Sequence, residues 1–291
     1  MTTLHTIGDT VRLDQLDRGI GPITKLGITA ATRLYLRSHT VTVTLRSMQA
    51  ALHNHYAADN VRHVPLGTFG VRVDAPPVTP ARVLSFGFWG AYKDANLLVS
   101  AVEKLNADGL AVELVLGGGA HPYHPHIYDD LKRRYSDKPF VKFTGYIPES
   151  EIDALFKSVA CVVQPYRTNA GASAVLNLAR SYGRPLIISA DPGLLEQVHD
   201  EGGSALVFRS EAQLSDALRR VLSDPALARE MGEKNLGVAR RMDVSSQARE
   251  MTRYYQSDVA QPHAEFGKVL DPAEVGVLLD AAGPLALAWP R

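Results

Sequence analysis

From Ala81 to about Val207 the chain alternates short apolar runs, rich in β-branched residues, with segments whose apolar residues recur at helical spacing. The runs predict strands at Arg82 to Phe86, Ala111 to Leu116, Phe140 to Thr144, Ala160 to Gln164, Pro185 to Ser189 and Ala205 to Phe208. The spacing predicts helices at Ala95 to Leu105, Ile127 to Tyr135, Ile152 to Phe156 and Ala172 to Ser181. Continuous apolar strands separated by helices imply a parallel sheet covered on both faces, which is a doubly wound, Rossmann-like α/β domain. Ligands of such sheets bind beyond the carboxyl ends of the strands, so the loops after the strands are where chemistry is expected.

The remainder is less regular. Before Val73 the pattern gives strands at Thr2 to His5, Val41 to Leu45 and Val61 to Pro65, with helices at Pro22 to Arg37 and Met48 to Tyr56. Three strands amount to half of a Rossmann-like domain, too small to bury a large core alone. The Pro-rich stretch VDAPPVTP marks a linker. After Phe208 the pattern is helical, at Glu211 to Leu222, Pro225 to Arg240 and Ser245 to Tyr255, packing on the sheet edge and returning toward the first domain. The expected organisation is residues 1–72 as a partial domain, 73–81 as linker, 82–258 as a complete ligand-binding domain with C-terminal helices, and 259–291 as a weakly structured tail.

Three loops carry candidate chemistry. GFWGAYKDANLL, after the first strand of the larger domain, places Gly90 and Lys93 ahead of a helix; glycine admits close backbone approach and the lysine is a point charge for a diphosphate. LVLGGGAHPYHPHIY puts Gly118 and its neighbours at the end of the second strand, and FTGYIPESEIDALF puts Gly145 and Tyr146 at the end of the third. The stretch CVVQPYRTNAGASAVLNLARSYGRPLIIS reads as strand, polar loop, helix and buried strand. Its unpaired N–H groups at Gly171, Ala172 and Ser173, with the helix dipole behind them, form either an anion site or an ordinary strand-to-helix turn. His121, His124 and His126 fit neither a helical pair nor a zinc signature, so no metal is expected there.

Composition narrows the partners. Formal net charge is zero, so no global field recruits nucleic acid, and an anionic ligand must be caught by local groups. The single cysteine, Cys161, lies in an apolar run, which excludes an internal disulfide and suits a buried, inert thiol in a reducing cytoplasm. No apolar run reaches the ~18 residues of a membrane span. Cytoplasmic residence is expected, at the inner membrane face if the helix carrying Lys25, Arg33 and Arg37 rests on anionic lipid instead of simply exposing a solvated face.

Taken in order, GxxxxxK, the glycine-rich turn, FTGY, PY followed by GAS, GRP, DPGLLEQV and LSDPALAREMGEKN resemble the donor domain of retaining glycosyltransferases of the GT-B fold, family four, over about Arg82 to Arg241. TLHT is similar to the strand carrying that family's acceptor-domain histidine, here His5, and VTVTLRSMQAALHNHYAADNVRHVPLG to the last strand, helix and strand before its linker. The resemblance implies a GT-B-like pair of Rossmann-like domains, the first partial. It implies transfer of a sugar from a nucleotide-diphosphate donor to a glycan, lipid-linked or small-molecule hydroxyl, with retained configuration and without metal or cofactor. His5 would be catalytic. Lys93 would meet the diphosphate, Gly171, Ala172 and Ser173 phosphate and sugar, and Gly145 the region of the base. From the residues themselves, Gly90 admits close backbone approach, Gly118 lets a base or sugar lie against bare backbone, and Tyr146 is expected to face the same crevice.

Three departures bear on activity. Phe88 stands where the family usually has arginine. Ala170 and Leu178 stand where it often has two glutamates, leaving Asn169, Ser173 and Asn177 as polar neighbours that would substitute. The first domain also lacks several strands, so an upstream extension is expected if the chain is a mis-started enzyme. A non-catalytic or truncated nucleotide-sugar-binding module is the alternative; an epimerase-like or phosphorylase-like member is a third, and no pyridoxal-lysine signature supports a phosphorylase.

Overall fold

The computed structural model describes residues 1–4, 22–73, 81–122, 124–168 and 171–260. The chain forms two compact units, one from Met1–Pro65 together with the chain from Ala248, the other from Leu66–Gln247. The division falls ahead of the expected 73–81 linker, of which residues 74–80 lie outside the described residues. Leu66 to Arg72 hydrogen-bond within the second unit: Thr68 N–H donates to Met242 O (2.6 Å) and Arg72 N–H to Ser181 O (2.8 Å).

In the first unit β1 (Thr2–Leu4), β2 (Val41–Val43) and β3 (Val61–His63) form a parallel sheet in sequence order. α1 (Pro22–Tyr35) and α2 (Arg46–Tyr56) are its crossovers. Val41, Val43, Met48 and Leu52 are fully buried, so β2 and one face of α2 make the core. The last helix, α10 (Val244–Ala260), continues past the expected end at Tyr255; its Asp258 accepts a hydrogen bond from Thr40 Oγ1 (2.7 Å) and pairs with the amino terminus (3.6 Å). Of the expected loose tail, residues 261–291 lie outside the described residues.

The second unit is built on six parallel strands: β4 (Arg82–Phe86), β5 (Glu113–Gly117), β6 (Val141–Gly145), β7 (Cys161–Gln164), β8 (Leu186–Ser189) and β9 (Ala205–Phe208). Their order is β6-β5-β4-β7-β8-β9. The chain starts in the middle, fills one edge, returns to the middle and fills the other, which is the doubly wound order expected from the sequence. Strand side chains alternate between two cores: Val83, Leu114, Leu116, Cys161, Val163 and Ile187 face one, and Leu84, Val115, Val162, Leu186 and Ile188 face the other. Both faces are apolar because both are covered, by α3 (Ala95–Ala107) and α8 (Glu211–Ser223) on one side and by α5 (Glu149–Lys157), α6 (Ala174–Ser181) and α7 (Pro192–Glu201) on the other. α4 (Pro125–Tyr135) and α9 (Pro225–Arg241) complete the unit. Burial pushes the Cys161 thiol up to about 12, consistent with an inert core residue.

α7 was not foreseen, though its start is written in the sequence. Asp191 caps it by accepting from Gly193 and Leu194 N–H, with Pro192 in the first turn. α6 begins two residues later than expected, because Ser173 is its cap and accepts from Leu176 N–H (3.3 Å).

Candidate functional site

The order of the sheet turns around between β4 and β7, and the loops after these two strands are where a doubly wound sheet offers its ligand crevice. They are tied together by backbone. Asp94 N–H donates to Pro165 O (2.7 Å), Arg167 N–H donates to Tyr92 O (2.8 Å), and Arg167 pairs with Asp94 (3.2 Å). This pairing places Lys93 opposite Tyr166.

Lys93 is almost completely buried, at 5 % exposure. Its ammonium donates to Phe86 O (2.7 Å) and lies over the rings of Trp89 (4.8 Å), Tyr92 (5.7 Å) and Tyr166 (5.7 Å). It makes no ion pair among the described residues. Desolvation accordingly pulls it down to about 7. Rings stabilise a cation through their quadrupole without neutralising it, so the site still lacks a counter-charge.

The first turn of α6 closes the same space. A Cβ built on Gly87 would stand 3.2 Å from Lys93 Nζ and 3.6 Å from Val175 Cγ2, so ammonium and helix start meet at Gly87. The Tyr166 hydroxyl hydrogen-bonds Ser173, and burial pushes it up to about 12. α6 therefore points its positive end, whose first N–H groups have no intrahelical acceptor, at the region occupied by the ammonium.

The neighbouring loops are close-packed. Gly87 N–H donates to Gly117 O (3.1 Å) and Trp89 N–H to Gly119 O (3.0 Å), so the turns after β4 and β5 zip together. Gly118 has φ +98°, and a Cβ there would come within 2.4 Å of Gly87 O. Gly118 N–H donates to Thr144 Oγ1 (3.0 Å), and Gly145 (φ +70°) donates its N–H to the Tyr128 hydroxyl oxygen (2.9 Å). Gly118 and Gly145 are themselves bridged.

The structure thus gathers Lys93, Gly90, Gly118, Gly145 and the Gly171 to Ser173 turn at one end of the sheet, Gly145 as the last residue of β6 and the others on loops beyond strand carboxyl ends. Tyr146 is beside them but 79 % exposed. His5 and Asn169 lie outside the described residues. Two expectations change. Ser173 N–H is not unpaired, since it donates to Gln197 Oε1 (2.8 Å). Asn177 is fully buried and its carboxamide serves the fold, donating to Leu66 O (2.7 Å) and accepting from Arg180 (3.0 Å) and Gln197 (3.3 Å). Leu178 packs against the second core cluster, so the place of a carboxylate is taken by core. Phe88 is 50 % exposed and stands edge-on to His121, whose ring stacks on His124 (5.7 Å). No group of three metal-ligating side chains occurs among the described residues.

Trp89, Tyr92, Tyr166 and Gln197 escaped the sequence reading as site residues. The aromatic three were legible in principle, as rings flanking a lysine in GFWGAYK and QPY.

With this geometry in view, the sequence profile of the glycosyl transferases group 1 matches residues 72–236, more than half of the chain. The chain belongs to that family. No curated protein matches it in sequence. Among solved structures, sucrose-phosphate synthase from Thermosynechococcus elongatus is similar with a TM-score of 0.71 at 23 % identity, over 89 % of this chain and 67 % of the synthase. Anabaena HepE in complex with UDP and glucose has a TM-score of 0.71 at 15 % identity, over 88 % of this chain and 71 % of HepE. A variant of S. aureus TarM, bound to fondaparinux, α-GlcNAc-glycerol and UDP, has a TM-score of 0.68 at 15 % identity, over 87 % of this chain and 50 % of TarM. At such identities the likeness establishes the GT-B fold of this glycosyltransferase, and the chain spans only part of each relative. No helix among the described residues is long and apolar enough to cross a membrane.

Proposed function

We propose that this chain binds a nucleoside-diphosphate sugar in the crevice between β4 and β7 and transfers the sugar to an acceptor hydroxyl with retention of configuration. The observation that carries the reading is Lys93, a buried ammonium facing the start of α6 with ring faces and a carbonyl as its partners. A diphosphate would supply the missing counter-charge, and the α6 N-terminus would share its load. Gly145 keeps its backbone bare beside open space where a base would lie.

In the step itself the acceptor oxygen bonds to the anomeric carbon as the bond from that carbon to the diphosphate oxygen breaks. The electron pair leaves on the diphosphate, which takes the acceptor proton. Negative charge grows on the phosphate oxygens, where Lys93 and the helix dipole stabilise it without a metal. His5, by family resemblance, would be a catalytic residue.

A binding module without turnover is the second reading, favoured by Phe88 and Leu178, which leave hydrocarbon where the family usually carries a cation and a carboxylate. One experiment addresses both. The full chain is titrated with UDP-, GDP- and ADP-glucose in the presence of EDTA, and then assayed for release of the nucleoside diphosphate and for the anomeric configuration of any glycoside. Binding with turnover supports the transferase and binding alone the module; no binding of any of the three removes both.

The acceptor side is proposed to work in the cytoplasm, at the inner membrane face if lipid-linked. α1 exposes Leu26, Leu34 and Tyr35 beside Arg33, a composition suited to an anionic surface. Sedimentation with anionic vesicles, compared with neutral ones, tests it.

A further inference from the structure

Gln197 lies on α7, away from the glycine-rich loops, and is 1 % exposed. Its carboxamide grips one residue of the α6 turn from both sides. Oε1 accepts from Ser173 N–H (2.8 Å), while Nε2 donates to Ser173 O (3.4 Å) and to Asn177 Oδ1 (3.3 Å). Asn177 is held in turn, with Nδ2 donating to Leu66 O (2.7 Å) and Gly67 O (3.3 Å) and Oδ1 accepting from Arg180 (3.0 Å). Arg180 is anchored by a buried ion pair with Glu201. Every polar atom of the two carboxamides is engaged, and neither carboxamide has another orientation that satisfies all of these partners.

We propose that Gln197, supported by Asn177, is a positioning residue for the donor diphosphate. A trans peptide carries its C=O and N–H on opposite sides. Ser173 O also accepts the first intrahelical bond of α6, from Asn177 N–H (3.4 Å), so the Gln197 contact reinforces the orientation that turns the Ala174 N–H the other way, out of the helix start. With Ser173 N–H taken by Gln197, that amide is withdrawn from the anion. Gln197 thus selects which amides of the turn meet the phosphates and holds them before the donor arrives, which lowers the reorganisation needed on binding. The relay ends at Leu66 and Gly67, the first residues after the chain leaves the first unit.

This inference rests on the nucleoside-diphosphate reading, and its test separates the two. UDP and uridine are titrated against the full chain, Lys93→Met and Gln197→Met, the last being close in length and volume to the native side chain. A relay acting on the phosphate turn weakens UDP by about tenfold, near 1.4 kcal/mol, and leaves uridine unchanged. Gln197→Glu, which keeps the acceptor and loses the donor, shows the same selective loss at smaller size, and it carries the test if Gln197→Met does not fold. Equal losses for UDP and uridine, or none, overturn the positioning role. Wild-type protein that fails to bind UDP, GDP or ADP overturns the functional reading beneath it, whereas a loss in Lys93→Met with none in the Gln197 variants overturns this inference alone.

Discussion

The Lys93 ammonium sits 4.8 Å from the centroid of the Trp89 ring, and the two side chains are buried together at 5 % and 0 % exposure. A lysine in this setting titrates near neutrality, at about 7, against an ordinary 10.5. In the unfolded chain the same amine holds its proton up to the ordinary value. Between about pH 7 and 10.5 the unfolded state therefore binds more protons, and this group adds stability as pH rises. Subtracting the stability–pH curve of Lys93→Met from that of the wild type should leave a positive slope in that window; a flat difference would show that the amine is not desolvated.

Donor binding should run the opposite way. A diphosphate favours the charged amine, so binding takes up a proton above pH 7 and affinity falls as pH climbs. Calorimetry of UDP-glucose binding between pH 6 and 8.5 in buffers of different ionisation enthalpy reads the proton directly. Zero uptake at pH 8 would sink the assignment.

Lys93→Met is expected to stabilise the free protein at pH 6 by about 0.5–2 kcal/mol while reducing donor affinity. The gain is the removed cost of burying a cation, less about 1 kcal/mol for the hydrogen bond to Phe86 O. Thermal unfolding with and without UDP-glucose checks both halves.

Gly118→Ala should be severe. The residue has φ +98°, and its new methyl would stand 2.4 Å from Gly87 O, a backbone atom that cannot step aside without opening the turns after β4 and β5. A loss of about 3 kcal/mol or more is expected in urea unfolding. Gly145→Ala has a similar φ of +70° but open space, so it should cost about 1 kcal/mol.

Phe88→Arg should gain function. Phe88 is half exposed on the turn after β4 and its ring contact is with His121. An arginine there restores a second cation for the diphosphate, worth about 1 kcal/mol in so exposed a place, or roughly fivefold in UDP-glucose affinity. Stronger binding at low salt, fading at high salt, is the expected signature.

Much of the second unit could be read from period and punctuation. β4 and β9 coincide with their predicted spans because each is a short, mostly apolar run closed by turn residues. Lys93 was legible as a cation before a helix, and the GAS turn as a helix start. What sequence could not show was direction. Asn177 is one residue from the position of a family carboxylate, yet helical geometry turns it toward Leu66 and Arg180. Likewise Gln197 acts across a gap of 24 residues that no local pattern encodes. Helix α7 was missed although the Asp-Pro pair that opens it is the same signal as Asp224-Pro225 at α9, where it was recognised.

The stitching around Thr68 has a consequence for the chain's architecture. Gly67 N–H donates to Gln247 Oε1 (3.1 Å), Thr68 N–H to Met242 O (2.6 Å) and Val244 N–H to Thr68 O (2.9 Å). The second unit thus begins and ends at one spot, and in sequence it is an insertion nested inside the first. Adjacent ends are what allow a domain to be excised, transplanted or circularly permuted. Residues 66–247 are contiguous in sequence, whereas the first unit draws on Met1–Pro65 and on the chain from Ala248.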